Sequence, residues 1–392
     1  MPASLPTVRV LLLADTHIGL DLPVRPRIER RRRGHDFIAN FQRALAPALA
    51  GEVDLVVHGG DLLDRSKVPT AVVELALQPL IAVADSGVPV YLVPGNHERS
   101  VIPNMLLTAH PRLHVFNSPG RARLALGEAD VEITAFPFAR RIGERFTTLL
   151  AEAERRVVRG QQTGGRPRVR LLCMHQAVEG AQVGPSNYTF RPGRDVIPGH
   201  AFPGGYAAAL SGHIHRSQIL DRDLTGAALA TPVIYPGSVE RTSLAERHEE
   251  KHFVVLDLVA DGSRGGRVSV IEFRPLPARP MFRIDVDLLG AWQPCFEREI
   301  RERLAALPCD AVVRVVVTPA PNGPDSTSGV RSEPCPAFLS AARLRAIAPP
   351  TMNIELSFPR PARPERAPGP TGAQPARPGR PLPADAQPRI LP

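Results

Sequence analysis

VRVLLLADTHIG, residues 8–19, is the stretch on which the fold turns. Val8 to Ala14 is an aliphatic run about as long as one buried strand, and it stops at Asp15 and His17. The same arrangement recurs along the chain. DLVVHGGDLLD (54–64) ends in Asp61 and Asp64, and VPVYLVPGNHE (88–98) ends in Asn96, His97 and Glu98. VRLLCMH (169–175) ends in His175, and AALSGHIH (208–215) ends in His213 and His215. Between the first three runs, residues 35–50 place Phe37, Ile38, Phe41, Leu45 and Leu49 at helical spacing, and residues 70–85 form a second helical pattern. Pro47 and Pro79 are expected to end or kink these helices. The alternation is β-α-β-α-β, which builds a layered α/β fold. In such sheets, sites form outside the carboxyl ends of the strands. Five separate segments therefore carry ligand-type groups to one edge.

Each segment taken singly has a plainer reading. Asp15-x-His17 is a turn, GNHE a hairpin turn, His175 a hydrogen-bonded core histidine, and Asp64 a cap. Taken together, in order and each at a strand end, they point to metal. The ligand set is Asp15, His17, Asp61, Asn96, His175, His213 and His215. Seven ligands exceed what one tetrahedral ion takes, and they suit two ions that share a carboxylate. Two such ions, about 3.5–4 Å apart, form a clamp for in-line displacement at phosphorus. Carboxylate, imidazole and amide donors suit Mn²⁺, Fe or Zn²⁺ better than an all-oxygen shell does, and no thiolate takes part. Gly60, Gly95 and Gly212 precede ligands, where sharp turns favour glycine. On an extended chain His213 and His215 would point the same way.

The chain resembles the calcineurin-like metallophosphoesterases through ADTH, GGDLLD, GNHE, MH and GHIH. Within them it is most similar to the bacterial DNA-repair exonucleases of the SbcD type, through DTHIG, the RRRRGHDFIANFQRAL segment and YPGSVERTSLAERHEEKHFVVLDL at 235–258. The likeness covers about residues 8–275, is faint over 281–358 and is absent beyond. It implies a four-layer α-β-β-α sandwich with a small α+β capping-like domain. It also implies that Asp15, His17, Asp61 and His215 hold one metal and Asp61, Asn96, His175 and His213 the other, with Asp61 bridging. His97 would act on the leaving group, and Glu98 would not be a ligand. Some members of the family carry histidine where this chain has Asp64, which leaves the balance of exonuclease and endonuclease action open. The implied activity is DNA phosphodiester hydrolysis with two divalent ions, Mn²⁺ first and Fe, Zn²⁺ or Mg²⁺ as alternatives. The implied partners are DNA, a separate SMC-like coiled-coil ATPase and a second copy of the chain. One rival reading is a small-molecule or nucleotide phosphodiesterase or phosphatase on the same fold, whose motifs would be identical; a second, a non-catalytic DNA-binding or scaffold subunit with a vestigial site, has the intact ligand set against it.

Composition narrows the setting. The 392 residues carry a net charge of +9. The run RPRIERRRR (25–33) contributes +5 and residues 359–392 contribute +4, so the remainder is formally neutral. Two basic segments on a neutral body suit a polyanion such as nucleic acid. Arg30, Arg31, Arg32 and Arg33 are candidate DNA contacts, because their loop lies between His17 and the helix that follows. No apolar run approaches the roughly 18–20 residues of a membrane helix, and the N-terminus has no leader pattern. The four cysteines form no C-x-x-C pair, which suits a reducing, cytoplasmic setting, and the DNA substrate implied by the resemblance would make the protein nucleoid-associated. The expected domains are 1–275, the metallophosphoesterase; 276–358, the capping-like unit; and 359–392, a disordered tail in which 11 of 34 residues are proline. Residues 177–207 read as a long loop. The segment 335–348 reads either as a partner-binding helix or as a helix of the small domain.

Overall fold

The computed structural model describes residues 5–22, 32–99, 101–102, 109–160, 165–261, 265–287, 295–318 and 340–357. Arg30, Arg31 and the expected tail lie outside the described residues.

Two sheets pack against each other between helices. The first runs in the order β17 (Arg267–Leu276), β16 (Lys251–Val259), β1 (Thr7–Leu13), β2 (Leu55–His58), β3 (Val90–Leu92) and β4 (Leu113–Val115). The second runs in the order β14 (Gln218–Arg222), β15 (Ala228–Tyr235), β13 (Ala208–Gly212), β8 (Arg168–His175), β6 (Ala129–Ala135), β5 (Gly120–Leu126) and β7 (Val157–Gly160). Helices α1 (Gly34–Leu49) and α2 (Thr70–Asp85) cover the outer face of the first sheet, and α3 (Ile142–Arg155) covers that of the second. This is the four-layer α-β-β-α sandwich.

Strand periodicity builds the layers. Along β1, Leu11 and Leu13 pack toward α1 and α2, while Val8, Val10 and Leu12 pack between the sheets. Along β8, Val169, Leu171 and Cys173 face the inter-sheet core, and Leu172 and Met174 face α3. Strands buried on both faces read as continuous apolar runs, as parallel strands do. Register then aligns their ends: Leu13 lies opposite His58, His58 opposite Leu92, and Gly212 opposite His175. The polar residues after each strand emerge at one edge.

Both helices run through their prolines. Leu80, Val83 and Ala84, beyond Pro79, are buried, and tertiary packing of this kind outweighs the local cost. The stretch 177–207 is not one loop. It holds two short ribbons, β9 (Ala177–Val178) with β12 (Val196–Ile197) and β10 (Gln182–Val183) with β11 (Tyr188–Thr189).

A third, parallel sheet follows: β18 (Met281–Asp287), β19 (Val312–Thr318) and β20 (Asn353–Ser357), with α4 (Cys295–Ala305) and α5 (Ala341–Ile347). It has its own core of Ile284, Val286, Ile300, Leu304, Val313, Val315, Leu344 and Ile354. Leu344 is 1% exposed, so the described part of 335–348 is a helix of this unit and spends its apolar face on it. No helix among the described residues is long and apolar enough to cross a membrane.

Candidate metal centre

The strand ends converge through strained backbone. Asp15 N donates to Gly60 O at 2.8 Å and His17 N to Asp61 O at 3.0 Å, which locks the first two ends together. Among the described residues, eight non-glycine positions have a positive φ. Four of them are candidate ligands: Asp15 (52°), His17 (43°), Asp61 (52°) and His213 (84°). Left-handed backbone of this kind persists where the surroundings over-determine it, and it clusters at functional sites. The glycines that precede ligands answer to crowding, and one of them also to backbone conformation. Gly60 does take the left-handed turn, at φ 104°. Gly95 does not; it is small because a Cβ there would lie 2.1 Å from Asp61 Oδ1.

Ligand atoms of Asp15, His17 and His215 lie within 4.8 Å of one another, as do those of His17, Asp61 and His97, and of Asp15, Asp61 and His175. His17 Nε2 and His215 Nε2 are 3.1 Å apart, and His215 Nε2 is 3.8 Å from Asp15 Oδ1. Asn96 Oδ1 sits 3.1 Å from His175 Nε2 and 2.9 Å from His213 Nδ1. Asp61 Oδ2 lies 3.3 Å from His175 Nε2. His175 Nδ1 faces the Gly59 carbonyl at 2.7 Å, so one proton sits there and Nε2 is the nitrogen turned to the site. All seven sequence-derived ligands are brought together. His213 and His215 do not point the same way, because the left-handed turn at His213 breaks the extended chain. His213 joins Asn96 and His175, and His215 joins Asp15 and His17.

Electrostatics matches a cation site. Burial and neighbouring imidazoles hold His17 well below its ordinary range and His213 at about 3, so both are neutral donors near pH 7. Burial lifts Asp15 to about 6. Burial opposes charge on His175 too, but Asp61 and Asp15 outweigh it and push the imidazole up to about 9. A divalent ion beside those carboxylates would compete with that proton. His17 Nδ1 is buried without a hydrogen-bond partner. Oxygen and imidazole donors converging with no thiolate among them fit two divalent cations.

The neighbouring residues divide by role. Glu98 is no ligand: it accepts from Leu63 N at 2.6 Å and Gly95 N at 2.9 Å and so braces the turn. Burial and Asp61 push its carboxyl up to about 8. His97 stands at the rim, 38% exposed, with Nδ1 on the Asp64 carbonyl and its backbone N donating to Asp61 Oδ1 at 2.9 Å. The Asp64 carboxylate pairs with Arg65 at 3.2 Å and takes no part in the cluster. Arg32 is held by Asp21, and Arg33 donates to the Arg241 carbonyl and lies over Phe37. Sequence reading missed Phe138, whose ring lies 5.7 Å from that of His213 and 6.2 Å from that of His175. It also assigned no role to Glu246 and Lys251 behind His215, although 235–258 had stood out as a motif.

A family model described as calcineurin-like phosphoesterase matches residues 8–217. The chain belongs to the calcineurin-like phosphoesterase family. All five ligand-bearing strand ends fall within the stretch that matches this family. Among curated proteins, the chain is 26% identical over 295 residues to the DNA double-strand break repair protein Mre11 of Aeropyrum pernix, covering 71% of this chain and 64% of that one. It is 25% identical over 285 residues to the Mre11 of Archaeoglobus fulgidus, covering 70% and 60%. The chain thus spans less than two thirds of the length of these relatives. A dimetal phosphatase from Danio rerio superposes with a TM-score of 0.38 at 13% identity, covering 69% of this chain and 98% of that one, too loosely to carry weight of its own.

Proposed function

We propose that the chain is a dinuclear-metal nuclease that hydrolyses DNA phosphodiester bonds during repair. The observation that carries this reading is the convergence of seven ligand-type side chains, from five strand ends, in a calcineurin-like phosphoesterase. Asp15, His17, Asp61 and His215 would hold one ion, and Asp61, Asn96, His175 and His213 the other. Mn²⁺ suits this mixed nitrogen and oxygen set. Such a pair, when bound, lowers the pKa of water and polarises phosphoryl oxygens. Asp61 lies between the two groups and orients the His97 turn through the backbone bond to Oδ1. His97 places Nδ1–H on the Asp64 carbonyl, which leaves Nε2 turned toward the site, 3.9 Å from Asp61 Oδ2. That atom can hold a proton for the departing sugar oxygen.

The choice of DNA is supported by relatives named as DNA double-strand break repair proteins and by the net charge of +9. In this reading, residues 1–275 form the nuclease domain and 276–358 a capping-like domain. Arg32 and Arg33, the last residues of the basic run, would border the DNA path. An SMC-like ATPase on a separate chain and a second copy of this chain complete the assembly at the nucleoid. The test uses purified protein with Mn²⁺ or Mg²⁺ on labelled duplex DNA, single-stranded DNA and a nitrophenyl phosphodiester. DNA cleavage that falls about 10³-fold or more in Asp61→Ala is expected, because a shared ligand is lost. Cleavage of the small ester with no action on DNA, even beside the ATPase, would overturn the nuclease reading.

A further inference from the structure

Behind His215 lies a buried polar cluster built from the 235–258 motif, beyond the residues that match the family. His215 turns Nε2 toward His17 and Asp15. Its outer nitrogen, Nδ1, lies 3.1 Å from Glu246 Oε1 and 3.2 Å from Thr242 Oγ1. Thr242 also donates its hydroxyl to Glu246 Oε1. The second carboxylate oxygen, Oε2, accepts from Lys251 Nζ at 2.6 Å and from Thr242 N at 3.2 Å. Lys251 Nζ donates at 3.0 Å to the carbonyl of His215 itself, so one ammonium fixes both the carboxylate and the backbone of the histidine. Lys251 is 1% exposed and Glu246 7%. A lysine this buried is rare unless it is paired, and these pairs account for it.

The other histidines of the centre are held differently. His175 rests its outer nitrogen on a backbone carbonyl, the buried Nδ1 of His17 meets no hydrogen-bond partner, and His213 turns its Nδ1 inward, to the ligand Asn96. Among the described residues, His215 is the candidate ligand whose outer nitrogen meets a carboxylate. An ionised carboxylate only accepts, so it holds the proton on Nδ1, leaves the Nε2 lone pair for the metal and makes that lone pair more basic.

Resting on the dinuclear reading above, we propose that Glu246, clamped by Lys251, is a positioning residue for His215 and sets the affinity of one metal position while leaving the other alone. The position affected is the one bounded by Asp15, His17 and His215.

The test is Mn²⁺ titration by calorimetry of the full chain, comparing wild type with Glu246→Ala, Glu246→Gln and Lys251→Met. Wild type is expected to take up two ions. Glu246→Ala should weaken one of them about 10–100-fold and leave the other within about threefold, with Glu246→Gln, which still offers an oxygen to Nδ1–H, recovering most of the loss. Lys251→Met should resemble Glu246→Ala. A second measurement needs no variant: ¹⁵N ring spectra of metal-free wild type, taken at a pH high enough for His215 to be neutral, should show it as the Nδ1–H tautomer. An Nε2–H tautomer, or two unaltered affinities in Glu246→Ala, overturns the positioning role while the dinuclear reading stands. A wild type that binds no second ion overturns both.

Discussion

At the scale of single residues, the centre is held together by close approach. A methyl group on Gly95 would lie 2.1 Å from Asp61 Oδ1 and 2.5 Å from Asp61 N, against a carboxylate that is 2% exposed and has nowhere to retreat. Gly95 also donates its N–H to Glu98 at 2.9 Å, so the turn cannot easily shift away either. Gly95→Ala is therefore expected to fold and yet to displace Asp61. Misplacing a reacting geometry by about 1 Å costs on the order of 10²-fold. In the nuclease reading proposed above, the variant should show weaker Mn²⁺ uptake and about a hundredfold lower DNA cleavage, with a circular dichroism spectrum like that of wild type. Wild-type cleavage would mean that Asp61 tolerates displacement and that its place in the cluster is less constrained than the contacts imply. This reason for the glycine was not legible in the sequence. GNHE suggests a sharp turn, but the crowding comes from Asp61, 34 positions earlier in the chain.

At the scale of strands and helices, what could be read followed burial. The strands that carry ligands are buried on both faces, so they stand out as apolar runs, and a polar residue at the end of such a run is conspicuous. The edges of the second sheet, β14 and β7, were illegible for the same reason. β7 has the burial of a half-wet strand, β14 has one buried residue, and the two ribbons in 177–207 are two residues per strand. None of these carries enough periodicity to be told from loop. The second sheet also holds a charged feature that sequence cannot place. Glu132 on β6 is met by Arg121 and Arg123 from β5 and by Arg170 from β8, at 3.4, 3.1 and 3.0 Å. Burial alone would raise the Glu132 carboxyl, but Arg121, Arg170 and Arg123 outweigh it and hold it below its ordinary range. A carboxylate with a lowered folded pKa stabilises the fold fully above its unfolded value, and that contribution fades as pH falls through the folded one. Glu132→Gln should therefore cost about 1.5–3 kcal/mol at pH 7, the range for hydrogen bonds to charged groups. The gap from wild type should narrow below about pH 4, where the unfolded carboxyl also takes up a proton. Urea unfolding at the two pH values measures it, and a gap that does not depend on pH would show that the arginines act by packing alone.

At the scale of the whole molecule, the three-stranded unit is tied to the phosphoesterase sandwich through one buried arginine. Arg279 is 6% exposed and pairs with Asp36 of α1 at 3.1 Å. It also donates to the Asp310 carbonyl, to the Thr351 carbonyl at 2.8 Å and to the Asn353 side chain, all within the small unit. Its own carbonyl accepts from Arg241 at 2.9 Å, and Asn40, one turn along α1, holds the Pro277 carbonyl at 2.7 Å. Beside this clamp the two units part around a cavity of about 360 Å³, lined by Asp21, Arg32 and Arg33 on one side and by Asn353 to Leu356 on the other. Removing one partner of a buried ion pair costs about 3–5 kcal/mol. Arg279→Met should split thermal unfolding into two transitions, the lower one belonging to the small unit. It should also open the 276–281 connection to limited proteolysis. Adding Asp36→Asn should recover part of the loss, since the buried charge is then gone, and the coupling energy from the double-mutant cycle measures how much of the docking is this pair. If calorimetry of Arg279→Met shows a single transition at the wild-type temperature, the small unit is held by its other contacts and Arg279 is not the tie.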